Sequence, residues 1–166
     1  SFVALRAPMP TAVVALANEP APELSYLCRA LDDLLGDLPA PGAGLSTNEI
    51  AVLITLRGGA RSPRDVLAAL VRDDHPLRWR GDWALDAMID RLAARAPAVL
   101  AVTRDGAGPT LRLTDLGRDL VDGVVSGVDL FPVDRWWGGT RLSPGHVWCW
   151  AAAQRRLLAP AQSAGR

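Results

Sequence analysis

Residues 81–95 read Gly-Asp-Trp-Ala-Leu-Asp-Ala-Met-Ile-Asp-Arg-Leu-Ala-Ala-Arg. Leu85, Met88, Ile89 and Leu92 recur at intervals of three and four, the spacing that brings side chains onto one side of an α-helix. Polar and small residues fill the other side, so this helix must lie with its apolar stripe against a core. Asp82 is expected to cap it. The segments before and after it then limit which core that is.

Ser46 followed by Glu49 has the spacing of a capping box and predicts a helix over residues 47–56. Ile50, Leu53, Ile54 and Leu56 would form its inward face, and Gly58-Gly59 ends it. Ser62-Pro63 predicts a second start, with the hydroxyl as N-cap and the proline at the first helical position, where its missing N–H costs nothing. Val66, Leu67, Leu70 and Val71 would face inward, and Asp73-Asp-His-Pro76 stops the run. Beyond the third helix, closed by Pro97, residues 98–103 and 110–114 predict two strands joined across Arg104-Asp-Gly-Ala-Gly-Pro109, which is rich in turn formers. Thr114 then caps a last helix running to about residue 121.

This order ends in Leu113-Thr-Asp-Leu-Gly-Arg-Asp-Leu120 and resembles the winged helix-turn-helix domains of bacterial regulators over roughly residues 45–123. The resemblance implies an α+β, mainly helical fold in which the third helix and the hairpin, or wing, present the binding face.

The flanks carry weaker signals. Phe2-Val-Ala-Leu5 is β-prone, and the Ala/Val stretch from Thr11 has room for a turn or two of helix. A leading helix is expected over residues 22–38 on the stripe of Leu24, Leu27, Leu31, Leu34 and Leu35. Cys28 adjoins that stripe, with Arg29, Asp32 and Asp33 opposite. Pro39-Ala-Pro-Gly-Ala-Gly44 breaks the pattern. Four of the six tryptophans fall after residue 123. Asp134-Arg-Trp-Trp-Gly-Gly-Thr-Arg-Leu142 and His146-Val-Trp-Cys-Trp150 predict a hairpin turning at Pro144-Gly145, and residues 151–158 a further turn or two of helix.

Arg135-Trp136-Trp137-Gly138-Gly139 and the aromatic strand after it are similar to the close of an uncharacterised bacterial family, a domain of unknown function in which an Arg-Trp-x-Gly-Gly motif follows a winged-helix region. That resemblance spans nearly the whole chain and implies no activity. The expected organisation is an N-terminal arm and packing helix (residues 1–44), a winged-helix domain (45–123) and a Trp-rich β-hairpin extension packed on the core (124–166).

At 166 residues, 49% hydrophobic and 22% charged, the chain has a globular composition, and no apolar run reaches bilayer-spanning length. A formal net charge of zero gives no bulk attraction to nucleic acid or anionic lipid. All 18 basic residues are arginine, which together with abundant Ala, Gly, Pro and Asp suggests a GC-rich bacterial genome before any functional preference. The two cysteines, Cys28 and Cys149, lie far apart, and the chain opens without a secretory or lipidation signal. Reduced thiols and a cytoplasmic setting are therefore expected. The opening Ser1-Phe-Val suggests a processed end or a piece of something longer.

On the third helix Asp82, Asp86 and Asp90 fall along one flank, while Trp83, Ala87 and Ala94 lie outermost. Carboxylates facing a phosphate backbone are repelled and make few base contacts. An aromatic anchor with a charged rim is instead the composition of a protein contact. Trp83, Asp86, Ala87, Asp90 and Arg91 are thus the expected interaction surface, for a protein partner or another domain of the same protein. The alternative is a DNA-binding transcriptional regulator, with Arg64, Arg78, Arg80, Arg104 and Arg112 gripping phosphate. Arg135, Trp136, Trp137, Gly138, Gly139, Trp148 and Trp150 would be either a ligand platform or a structural filling. His75 and His146 lack partners at metal-ligand spacing, Ser143 lacks the flanking glycines of a nucleophile elbow, and no phosphate loop occurs. No catalytic residue, metal or cofactor is expected. Any catalysis would belong to a domain outside this chain, to which this part would be accessory.

Overall fold

The computed structural model describes residues 2–19, 23–24, 26–75, 77, 80–106 and 108–160. Among them the helices in chain order are α1 (Phe2–Arg6), α2 (Thr11–Asn18), α3 (Leu27–Leu35), α4 (Thr47–Thr55), α5 (Pro63–Arg72), α6 (Asp82–Ala93) and α7 (Asp115–Val121). The strands β1 (Leu100–Asp105) and β2 (Gly108–Leu113), β3 (Arg135–Trp137) and β4 (Thr140–Leu142), and β5 (Cys149–Ala151) and β6 (Arg156–Leu158) form three antiparallel pairs. The fold is α+β and mainly helical. The chain divides into two units, residues 48–126 and residues 1–47 together with 127–166.

In residues 48–126, helix starts follow local chemistry. Ser62 Oγ accepts from the Asp65 N–H at 3.2 Å, and Asp65 Oδ2 accepts from the Ser62 N–H at 3.3 Å, a reciprocal cap at the start of α5. Val66, Ala69 and Leu70 are buried, while Val71, expected inside, faces out. The inward face of α4 also differs from expectation. Its buried positions are Asn48, Glu49, Val52 and Leu53, continued by Leu56, and Ile54 is exposed. The stripe thus begins on Asn48 and Glu49 rather than Ile50. Arg95 makes this tolerable by donating from Nη2 to the Glu49 carboxylate at 2.9 Å, since a buried charge needs a partner.

Helix α6 buries Leu85, Met88, Ile89 and Leu92, the four residues its spacing singled out. Its N-cap is Gly81 at φ +74, not Asp82. Asp82 is the first helical residue, where its charge still lies near the free N–H groups of the helix start. Helix α6 packs on β1, and α5 on α6 and β2. The β1–β2 register runs from Leu100↔Leu113 to Asp105↔Gly108, so both strands reach into the expected turn at Arg104 and Pro109. Arg61 adds a bridge to Leu111, with N–H···O contacts of 3.0 and 2.8 Å in the two directions.

Thr114 caps α7 by accepting from the Gly117 N–H at 3.0 Å, while its own hydroxyl donates to the Ala98 carbonyl at 2.8 Å. A Cβ on Gly117 would stand 2.1 Å from the Val99 carbonyl oxygen. The glycine of the Leu-Thr-x-x-Gly-Arg string is therefore where helix and hairpin backbone meet.

Residues 1–47 and 127–166 share a core of their own. Val13, Ala17, Leu31, Leu35 and Leu38 pack with Trp137, Leu142 and Trp150. The N-terminal arm and the C-terminal extension, expected as separate additions, thus supply one core between them. Phe2-Val-Ala-Leu5, expected as extended, is the helix α1. Near its end Leu5 O accepts from the Gly139 N–H at 2.7 Å, and just beyond it Ala7 O accepts from the Thr140 hydroxyl at 3.3 Å. Helix α3 is shorter than its stripe implied. It starts at Leu27, leaving Leu24 exposed, and it buries Asp33, expected outside; Pro22 lies outside the described residues.

The C-terminal strands also pair differently. The β3–β4 turn is Gly138-Gly139, and Pro144-Gly145 makes a second tight turn bridging Ser143 and His146. Residues 149–151 pair instead with β6, in the stretch expected to be helical, where only a 3-10 turn (Ala152–Gln154) forms.

Candidate functional sites

Ala87 and Asp90 follow Trp83 and Asp86 by four residues each along α6, and all four lie away from its buried stripe. The Trp83 side chain is 77% exposed. Asp82, Asp86, Asp90 and Arg91 are exposed and Ala87 is half-buried. The face is therefore a flat aromatic ring on small residues, with carboxylates along one edge. Asp90 lies 3.7 Å from Arg104 at the end of β1. One of the arginines considered for phosphate is thus drawn to a helix carboxylate, although an exposed pair of this kind holds loosely.

The other arginines considered for DNA are spread out. Arg64 is exposed on the first turn of α5, Arg112 is exposed on β2, Arg80 is half-buried in the turn before α6, and Arg78 lies outside the described residues. Further along, Arg57 lies 2.5 Å from Asp122 and donates to the Val121 carbonyl at 2.9 Å, holding the end of α7.

The structure divides the Arg-Trp-Trp-Gly-Gly cluster by role. Trp137 is buried and its indole N–H donates to the Leu34 carbonyl at 3.1 Å. Trp150 is buried in the same core, and its backbone N–H donates to Pro39 O at 2.9 Å. Gly138 and Gly139 lie against the end of α1, where added Cβ atoms would stand 2.4 Å from Leu5 O and 2.1 Å from Arg6 O. The Arg135 guanidinium donates to the Asp37 carbonyl. Trp148 is half-buried against the core, its Nε1 without a described partner. Of the cluster's four tryptophans Trp136 alone points outward, 65% exposed, with the Arg141 guanidinium 5.7 Å from its ring.

His75 is occupied locally, Nδ1 accepting from the Leu77 N–H at 3.2 Å. Among the described residues no three His, Cys, Asp or Glu side chains converge as a metal site, and Cys28 and Cys149 are not joined in a disulfide.

A cavity of about 290 Å³ that no motif marks lies within residues 1–47 and 127–166. Pro39, Pro132, Pro144 and Pro160 line it, with Val128, Phe131, Val147 and Cys149, and Asp129 is its one charged residue among those described. These residues are scattered over four stretches of chain, and none forms a motif. A shallower space of about 360 Å³ lies between α4 and α5, bordered by Ile54, Arg61, Arg72 and His75. No family model, curated protein or solved structure matches this chain.

Proposed function

We propose that residues 48–126 are a winged helix-turn-helix module that binds a protein partner, or another domain of the same protein, through the exposed face of α6. The order α4, α5, α6 and the β1–β2 hairpin supports the winged-helix reading, and the Arg61–Leu111 bridge ties the segment between α4 and α5 to that hairpin. The observation that carries the binding role is the 77% exposure of Trp83 beside Asp86 and Asp90. Exposed tryptophans are rare, and interfaces use them as anchors. The carboxylate edge favours a partner with basic side chains. Cys28 and Cys149, not joined in a disulfide, accord with a reducing compartment, and no helix among the described residues is long and apolar enough to cross a membrane. We infer no catalytic role for this chain.

The test is cross-linking in the native host from a photoreactive residue at Ala87, with and without Trp83→Ala. A discrete adduct that Trp83→Ala abolishes supports the reading; an adduct indifferent to Trp83 overturns it. DNA binding is the second reading, favoured by the exposed Arg64 and Arg112. Salt-sensitive binding to random duplex DNA at low ionic strength, weakened by Arg64→Ala or Arg112→Ala, would put it first.

A further inference from the structure

The cavity in residues 1–47 and 127–166 is walled by groups that have little freedom to lose. Proline contributes four of its lining residues, each with φ fixed by its ring. Backbone hydrogen bonds tie the walls together. The Ala40 N–H donates to Leu45 O at 2.8 Å, the Phe131 N–H to Gly127 O at 2.8 Å, and the Gly127 N–H to Gly42 O at 3.0 Å. Gly44, at φ +63, lies so near the 127–128 backbone that a Cβ would stand 2.3 Å from Gly127 O. A site of this kind exists before its ligand arrives, so binding costs little ordering.

Its chemistry is one-sided. Prolines have no N–H, and the N–H groups of Ala40 and Phe131 are committed to other carbonyls. Among the described residues that line the space there is no arginine or histidine, whereas Asp129 is one of them. An anion entering would meet a negative charge. An apolar group carrying a cation would meet apolar walls, the Phe131 ring and a counter-charge in solvent. At about 290 Å³ the space lies at the small end of ligand pockets. We propose that this cavity binds a small arylalkyl or branched alkyl primary ammonium, its apolar body between Phe131, Val147 and the prolines and its ammonium toward Asp129.

The test uses the whole chain at low ionic strength, titrated by calorimetry and saturation-transfer NMR with 2-phenylethylammonium, 2-phenylethanol and phenylacetate. The ammonium should bind in the range of roughly 0.1–10 mM, as a ligand of this size allows. It should bind about three- to five-fold more tightly than the alcohol and about tenfold more tightly than the acid, the size of effect a solvent-exposed charge produces. Asp129→Asn, at an exposed position, should leave the melting temperature unchanged and bring the ammonium down to the alcohol. Val147→Trp, which fills the cavity, should abolish binding of both. Three results would overturn the assignment: no binding of the ammonium, phenylacetate binding as tightly as the ammonium, or an ammonium preference that survives Asp129→Asn. Unchanged binding to a folded Val147→Trp chain would do the same, by placing the ligand elsewhere.

Discussion

Gly117→Ala sets two physical effects of opposite sign against each other. Alanine is the better helix former by about 1 kcal/mol, so propensity alone predicts a more stable protein. The packing of α7 predicts the reverse. The new Cβ would stand 2.1 Å from the Val99 carbonyl oxygen and 3.4 Å from a Leu113 methyl, and the first of these is backbone that cannot swing aside. To restore ordinary van der Waals separation α7 must retreat by about 1 Å, and forcing a methyl into a filled site costs about 1–3 kcal/mol. The retreat also stretches the bond from the Thr114 N–H to Val99 O, now 3.2 Å, worth about 1 kcal/mol. Net of propensity, the variant should lose about 1–3 kcal/mol. Urea unfolding followed by hydrogen exchange of amides in residues 48–126 would show a midpoint lowered by on the order of 1 M. A midpoint unchanged or raised would refute the claim that this glycine is required by close approach.

Three further outcomes follow from the same structure. Ser62→Ala should cost about 1 kcal/mol at neutral pH by removing the α5 cap. The hydrogen bonds from the Ser62 hydroxyl and N–H hold the Asp65 carboxyl below its ordinary value. Because that folded value is depressed, its stabilising contribution is complete above the unfolded carboxylate range and is lost as pH falls through the folded value. Acid titration of stability should therefore show a shallower loss in Ser62→Ala than in the parent chain, and an identical acid limb would contradict this. Leu92→Ala, at a fully buried position, should cost about 2–5 kcal/mol by thermal or urea unfolding. Trp83→Ala should change stability by no more than about 0.5 kcal/mol, which separates it from a core tryptophan; a larger loss would mean the indole packs on something.

What could be read from the residues was what short-range chemistry decides. The Leu85–Met88–Ile89–Leu92 stripe, the Ser62-Pro63 start and the Thr114 cap depend on neighbours within a few residues and stand where expected, and the β1–β2 hairpin forms with its strands extended into the expected turn. Readings failed where a distant backbone decides. Phe2–Arg6 is helical, with Leu5 O accepting from the Gly139 N–H more than a hundred residues away, a contact that no local propensity contains. Glu49 is buried where Arg95 reaches it, and the inward face of α4 turned toward Glu49 and left Ile54 outside. Trp150 packs in the core that both ends of the chain build, and its N–H donates to Pro39 O, a contact no local pattern contains. The tryptophan face was legible because exposure opposite a strong stripe follows from helix period. The proline-lined cavity was not, since its walls come together only in three dimensions.

The Val13, Leu31 and Leu35 side chains cannot be fully covered until Trp137, Leu142 and Trp150 have been made. Residues 48–126, by contrast, are continuous in sequence and wholly translated before that point. On the ribosome the middle of this protein therefore completes itself first, and the outer unit holds its leading half open for a span of nearly eighty residues. The Gly42–Gly127 hydrogen bond lies where the two strands of the junction meet within the outer unit. It marks the place where the interrupted unit could be rejoined by a short turn, yielding the outer unit alone and leaving the middle as a cassette.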